Sequence, residues 1–238
     1  MKYFKLAQIS KETGISWAIA QPVSGPSWPD IPGLDASSSI QLSHSPIYYI
    51  CKVDDEDVAD PDNHIFELTN EQYASELKDH VMHQLNSEKD SIYKEEYDFR
   101  ESVFSKYHDT ASIAGIYKYE QAKSLLNDPL VSAPEVRAEA SARGVDVVEV
   151  ANRIIANHES FRTKEAKIAG IRGKILDRLT NYQFDLTNPD ASLNEFLSTE
   201  VIGTDTYKEF ENGKMIDKVV DVVVSKYKLA LQLRYRYE

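Results

Sequence analysis

His80 and His83 stand three residues apart, a spacing that puts two imidazoles on one side of a helical turn, within reach of one metal ion. No third ligand is evident and both lie beside an acidic helix face, so the expectation is two solvent-facing histidines and no metal. The run Asp54-Asp55-Glu56-Asp57, with Asp60 and Asp62 close behind, raises calcium instead. An EF-hand register would use Asp60, Asp62, His64 and Glu71 as its first, third, fifth and twelfth positions, yet Ile65 then stands where the sharp turn needs glycine. Pro61 is also foreign to such a loop. These acids read as a solvated turn on the N-terminal side of a helix, where the macrodipole favours negative charge. Cys51, the single cysteine, excludes an internal disulfide and a four-thiolate zinc site. Its setting in the apolar run Ile47-Tyr48-Tyr49-Ile50-Cys51 predicts a small core residue rather than a nucleophile.

The recognisable catalytic spacings are missing: no Gly-x-x-x-x-Gly-Lys phosphate loop, no Gly-x-Gly-x-x-Gly fingerprint, no Gly-x-Ser-x-Gly elbow and no His-Glu-x-x-His pair. Carboxylates are abundant, so an acidic pair of the kind that cleaves glycosidic bonds remains an alternative, but nothing singles out any two. Arg137, Arg143, Arg153, Arg162, Lys164, Lys167, Arg172, Lys174 and Arg178 make the 135–180 segment more basic than the rest. With Gly144 between two helices, that segment resembles a helix-turn-helix. The helix after the turn begins Val147-Val148-Glu149-Val150, poor groups for phosphates or base edges, so a helical hairpin with solvated or acid-paired charges is expected. The formal charge of −12, from 27 basic and 39 acidic side chains, also repels nucleic acid. The expectation is a protein with no catalytic residue, no cofactor, no metal and no nucleic-acid partner, working through its surfaces.

What positions those surfaces is a mixed α+β chain of 238 residues with 42% hydrophobic side chains, enough for a core. Three regions are expected: a short-stranded β region over 1–66, a helical region over 67–186 and a C-terminal β segment over 187–238. In the first, 3–9 and 15–19 read as strands flanking a turn at Gly14, and 39–53 as a further strand or two interrupted at Pro46. Between them Pro22, Pro26, Pro29 and Pro32 surround Trp28, which either pins its own loop or anchors a partner. The N-terminus lacks the apolar stretch of a signal peptide, and no window approaches about eighteen uninterrupted apolar residues, so a chain made in a cytoplasm with no membrane partner is expected. Fourteen tyrosines against three methionines favour half-buried sheets and contact surfaces.

Thr69-Asn70-Glu71-Gln72 is a capping box that opens a long helix. Along it Val81, Ile92, Val103, Ala114 and Leu125 recur every eleven residues, and Met82, Tyr93 and Phe104 repeat the interval one position later. Eleven residues are three turns of about 3.67, so these side chains form one nearly straight apolar seam. Unbroken to Pro129, the helix would span on the order of 85 Å. Either it breaks near 108–110, where Thr110 recaps a second helix, or it projects and pairs with another subunit in a coiled coil. Glu88, Lys89, Asp90, Lys94, Glu95 and Glu96 read as its solvated side. A short helix should follow from Pro134 to Arg143, closed by Gly144 in the left-handed region, then a second from Asp146 to about 180.

Near the C-terminus 207–210 and 214–216 flank Asn212-Gly213, a two-residue hairpin signal. The stretch 215–224 fits either period but its β-branched content favours strand. Leu229, Leu231, Leu233, Tyr235 and Tyr237 alternate with polar residues, which predicts a terminal strand. The interaction residues expected are therefore Val81, Ile92, Val103 and Leu125 of the seam, Trp28, and Leu229, Leu231, Leu233 and Tyr235.

The run Ala133-Pro134-Glu135-Val136-Arg137-Ala138-Glu139-Ala140-Ser141-Ala142-Arg143-Gly144-Val145, continued through Val150-Ala151-Asn152-Arg153-Ile154-Ile155 and Ile168-Ala169-Gly170-Ile171-Arg172-Gly173, resembles a segment of small tailed-bacteriophage proteins of the tail, tail-fibre or fibre-assembly kind. That resemblance spans roughly 133–180. It implies a virion or assembly role, with no catalytic residues, among other virion proteins and in a homo-oligomer, made in the bacterial host cytoplasm and located in the tail. A fibre-assembly chaperone absent from the mature virion is the alternative within that family.

Overall fold

In a computed structural model, which describes residues 2–7, 40–44, 48–53, 65–107, 110, 112–211 and 214–238, short strands come first and long helices follow. The strands are β1 (Lys2–Ala7), β2 (Ile40–Gln41), β3 (Tyr48–Val53) and β4 (Ile65–Leu68). The helices are α1 (Asn70–Phe104), α2 (Ile113–Asn127), α3 (Pro134–Arg143), α4 (Val147–Asn181) and α5 (Pro189–Phe196). Strands β5 (Thr199–Glu211) and β6 (Lys214–Ser225) form a hairpin, and α6 (Leu231–Tyr237) ends the chain. The α+β class is as the sequence indicates. The expected strand at 15–19, the proline-rich stretch with Trp28, the acids of 54–64 and the Asn212-Gly213 turn lie outside the described residues.

Two compact units share the chain, each discontinuous in sequence. One comprises Met1–Lys89, Leu179–Thr199 and Ser225–Tyr227, the other Asp90–Arg178, Glu200–Val224 and Lys228–Glu238.

The first unit is built on a four-stranded antiparallel sheet of order β2-β3-β1-β4. Phe4 faces Cys51 and Lys5 faces Ile50 across the β1–β3 pair. Successive strand residues point to opposite faces, yet Ile50 and Cys51 are both buried, as is Phe4, so β3 is covered on both sides. On the Lys5 side, Tyr3 stacks on Tyr73 of α1 with ring centroids 3.8 Å apart, and Lys5 pairs with Glu76. The start of α1 follows from the capping box: Thr69 Oγ1 accepts from the Gln72 amide at 3.2 Å, and the Thr69 amide donates to Gln72 Oε1 at 2.8 Å. Tyr73, Leu77, Val81 and Leu85 then recur at steps of four on the buried face. Helix α5 is clamped by Asp190, which accepts from the Tyr73 hydroxyl at 2.6 Å and from Lys52 Nζ at 2.8 Å. Beside it Tyr182, Phe196 and Tyr227 form an aromatic cluster.

In the second unit the expected seam is interrupted. Helix α1 ends at Phe104, a 3-10 turn covers Ser105–Tyr107, and a new helix begins at Ile113. The cap is Ser112, whose side chain accepts from the Gly115 amide at 3.0 Å, rather than Thr110. Val81 and Ile92 therefore share one helix, while Ala114 and Leu125 belong to another, and Ala114 is exposed. Helix α3 begins with Pro134 and ends at Gly144, whose φ of 65° is the left-handed cap expected. The α3–α4 hairpin buries Val136, Ala140, Val150 and Ala151 against Ala122 and Leu125 of α2. Glu96, expected in solvent, is buried, because Arg100 and Arg172 converge on it at 2.9 Å each. Position 172 lies too far along the chain for the local pattern at 96 to reveal it.

Candidate interaction surface

Strands β5 and β6 contain 13 and 12 residues and form a sheet of their own. A two-stranded hairpin is marginal in water unless something covers it. This one carries a heavy apolar load: Phe210 is 70% exposed, Val219 66%, Met215 59% and Val201 58%. By the alternation of a strand, Met215, Val219 and Val223 point to one face of β6 and Ile216 and Val220 to the other, and all five are exposed. The hairpin is thus apolar on both faces. Its polar groups partly bind one another, as where Lys218 Nζ lies 2.6 Å from Glu209.

The base of the hairpin is fixed by α6. Gly203 lets the Tyr237 ring lie against the strand, since a Cβ there would stand 3.0 Å from Tyr237 Cβ. The Tyr237 hydroxyl donates to Asp205 Oδ2 at 2.7 Å. Arg234 is fully buried and its guanidinium donates to Glu200 and Glu238, each at 2.6 Å. Arg178 donates to Glu200 as well, at 2.9 Å, and Lys174 to Glu238 at 2.7 Å. The Arg178 hydrogen bonds, opposed by burial and reinforced by Arg234, pull the Glu200 carboxyl down to about 2. Four charges of alternating sign around one buried arginine make a staple, in which each acid has two basic partners.

This corrects the expected terminal strand. Residues 231–237 are helical, with Leu231 and Arg234 buried three apart and Tyr235 edge-on to Phe99 at 5.2 Å. Leu229 and Leu231 are buried within the chain, and Leu233 is 42% exposed. Of the seam residues, Val81, Ile92 and Leu125 are buried by this chain's own fold and Val103 is half-buried. Buried side chains offer no free face in this conformation. Trp28 lies outside the described residues. The exposed apolar residues that the sequence reading did not single out are Phe210, Met215, Val219 and Val223. Their signal was present: a β-branched run whose alternation never produces a polar face.

Of the two histidines expected in solvent, only one is there, because the Ser43 backbone and hydroxyl draw the other into the fold. His83 is exposed, but His80 is buried at 5% and its Nδ1 accepts from the Ser43 amide at 3.0 Å, while Ser43 Oγ donates to the His80 carbonyl at 2.9 Å. Burial, then the neighbouring His44 and His83, lowers the His80 pKa. Among the described residues no group of three His, Cys, Asp or Glu side chains is arranged to hold a metal ion. Cys51 is buried and its thiol pushed up to about 12 by that burial. The basic stretch of α3 and α4 pairs with acids: Arg143 and Arg153 bind Glu139, which Lys118 of α2 also reaches, and Arg172 binds Glu96. Asp185, Asp190, Glu200, Asp205 and Glu238 all lie below the usual carboxylate range. No helix among the described residues is long and apolar enough to cross a membrane. The chain matches no protein family, no curated protein and no solved structure.

Proposed function

We propose that this protein is a non-enzymatic assembly subunit that docks onto neighbouring subunits through the β5–β6 hairpin. The observation that carries this reading is a long two-stranded hairpin, anchored at its base, with exposed apolar side chains on both faces. Contiguous exposed apolar surface of this kind marks contact sites, because its burial stabilises a complex by roughly 25 cal/mol per Å². Free strand edges add main-chain donors and acceptors for a further strand. The resemblance of 133–180 to small tailed-phage proteins supplies the setting: a structural component of the virion, in the tail or tail-fibre apparatus. The staple at Glu200 and Arg234 supports the same reading, since a docking element needs a rigid base.

The test replaces Phe210 and Val219 together by aspartate in the chromosomal or viral gene for the chain, and on this reading the particles to purify are those of a tailed phage. Wild-type protein should appear in purified particles by mass spectrometry, and the double variant should keep its far-UV circular dichroism and melting temperature while disappearing from them. Absence of the wild-type chain from mature particles would replace the structural role by that of an assembly chaperone. Undiminished incorporation of the double variant would remove the hairpin from the account.

A further inference from the structure

Building on the hairpin as a docking surface, the geometry points to a second copy of this chain as one of its partners, joined β5 to β5 about a two-fold axis through Thr206. In a symmetric antiparallel pair one residue lies opposite its own counterpart, and residues equally spaced on either side face each other. That constraint leaves few registers, and the charges along the strands sort them.

The β6 edge pairs poorly with itself. Centred on Val219, Asp217 faces Asp221 of the other copy, and centred on Lys218 or Asp221, like charges meet head on. Centring on Val220 sets Lys218 and Asp217 opposite valines. Along β5, a centre at Asp205 opposes that carboxylate to itself, and one at Tyr207 sets Asp205 against Glu209. Pairing about Thr206 avoids every such clash. It places Thr204 opposite Lys208, Asp205 opposite Tyr207 and, four residues either side, Ile202 opposite Phe210. Phe210, 70% exposed in the single chain, then gains an apolar partner at its own level of the sheet. A centre at Thr204 also opposes no like charges, but it runs Phe210 past the point where the partner strand begins and asks Glu200, already held by Arg178 and Arg234, to pair with Lys208. The product is a four-stranded sheet of order β6-β5-β5-β6, which passes the three-strand minimum for independent stability that the hairpin alone does not reach. Val219 and Val223 stay exposed on it, available to a different neighbour.

The full chain carrying Thr206→Cys, mildly oxidised and then alkylated before denaturing electrophoresis, tests the register. In the single chain the Thr206 amide donates to Asp205 Oδ1 at 2.9 Å, a bond that pairing exchanges for one to the partner strand. Directly opposed residues in a hydrogen-bonded antiparallel pair then have Cα atoms about 5.5 Å apart, within disulfide reach. T206C should therefore give a covalent dimer, and buried Cys51 should give none in the wild type. Lys208→Cys should give none either, its copies lying roughly 13 Å apart along the strand. Combining T204C with K208C should restore the cross-link. Sedimentation equilibrium of the wild type should show a dimer that Phe210→Asp weakens at least tenfold. A T206C chain that stays monomeric, or cross-linking by T204C alone in its place, overturns the proposal. Neither result touches the docking role, which the particle experiment decides separately.

Discussion

The molecule contains two antiparallel sheets made from similar residues and finished in opposite ways. In the four-stranded sheet, Ile50 and Cys51 bury both faces of β3, and two of its lysines are paired with acids of the helices, Lys5 with Glu76 and Lys52 with Asp190. In the hairpin, valines, Phe210 and Met215 face solvent on both sides. One sheet satisfies its apolar groups inside the chain. The other has them ready for something outside, so residue type alone does not distinguish a core strand from a contact strand. What differs is whether helices of the same chain lie over the strand.

The sharpest way to break that comparison is to truncate the same side chain in both sheets. Phe4→Ala, at a fully buried position, should cost about 3–5 kcal/mol in urea denaturation, while Phe210→Ala should change the stability of the isolated chain by no more than about 0.5 kcal/mol. Equal losses would mean that the hairpin is part of the internal core.

Next in size is the staple at the base of the hairpin. Glu200→Gln leaves Arg234 and Arg178 short of a shared anion and should destabilise by about 3 kcal/mol. Arg234→Met should cost less, because Glu200 keeps Arg178 and Glu238 keeps Lys174. The acid limb should move with the first variant. A carboxyl held at about 2 against an ordinary value of 4.5 contributes stability that is complete above pH 4.5 and lost as pH falls toward 2. Thermal melts of wild type and E200Q across that window should converge at the acidic end, and parallel curves would deny the staple its charge.

The smallest effect belongs to the first sheet's edge. His80 must be neutral to accept from the Ser43 amide, and its pKa lies below the ordinary 6.5. The unfolded chain therefore binds the proton first, so stability is complete above pH 6.5 and falls below it. Losing that hydrogen bond costs about 1 kcal/mol. Hydrogen exchange at Ser43, compared at pH 7.5 and 5.5 after correction for intrinsic rates, should report local opening in the wild type. Unchanged protection would place the acid response elsewhere.

How much of this was legible in sequence depended on distance along the chain. The Thr69–Gln72 box, the Pro134 start and the Gly144 stop were readable because each is settled within four residues. The hairpin strands were readable too, from β-branched content and the turn signal between them. The terminal helix was misread because the alternation of 229–237 is real but irrelevant: burial there follows Leu231, Arg234 and Tyr235, at helical spacing. The burial of Arg234 has no local signal, because its partner Glu200 lies 34 positions away. Glu96 and His80 misled for the same reason, since Arg172 and Ser43 are 76 and 37 positions distant. As for the candidate surface, the eleven-residue seam was correctly apolar, but apolarity does not say who covers it. Val81 and Ile92 turned out to be covered at home, while the valines of β6 were not.

The contact of Tyr237 with the bare backbone at Gly203 gives the hairpin a gradient of rigidity. Amides around 200–205, beneath the terminal helix, should be slow to exchange with solvent, and those of 207–210 and 215–219 faster. A partner arriving at the distal half meets strands already aimed by their anchored end. The entropic cost of ordering on contact then falls on a few residues instead of on the whole ribbon.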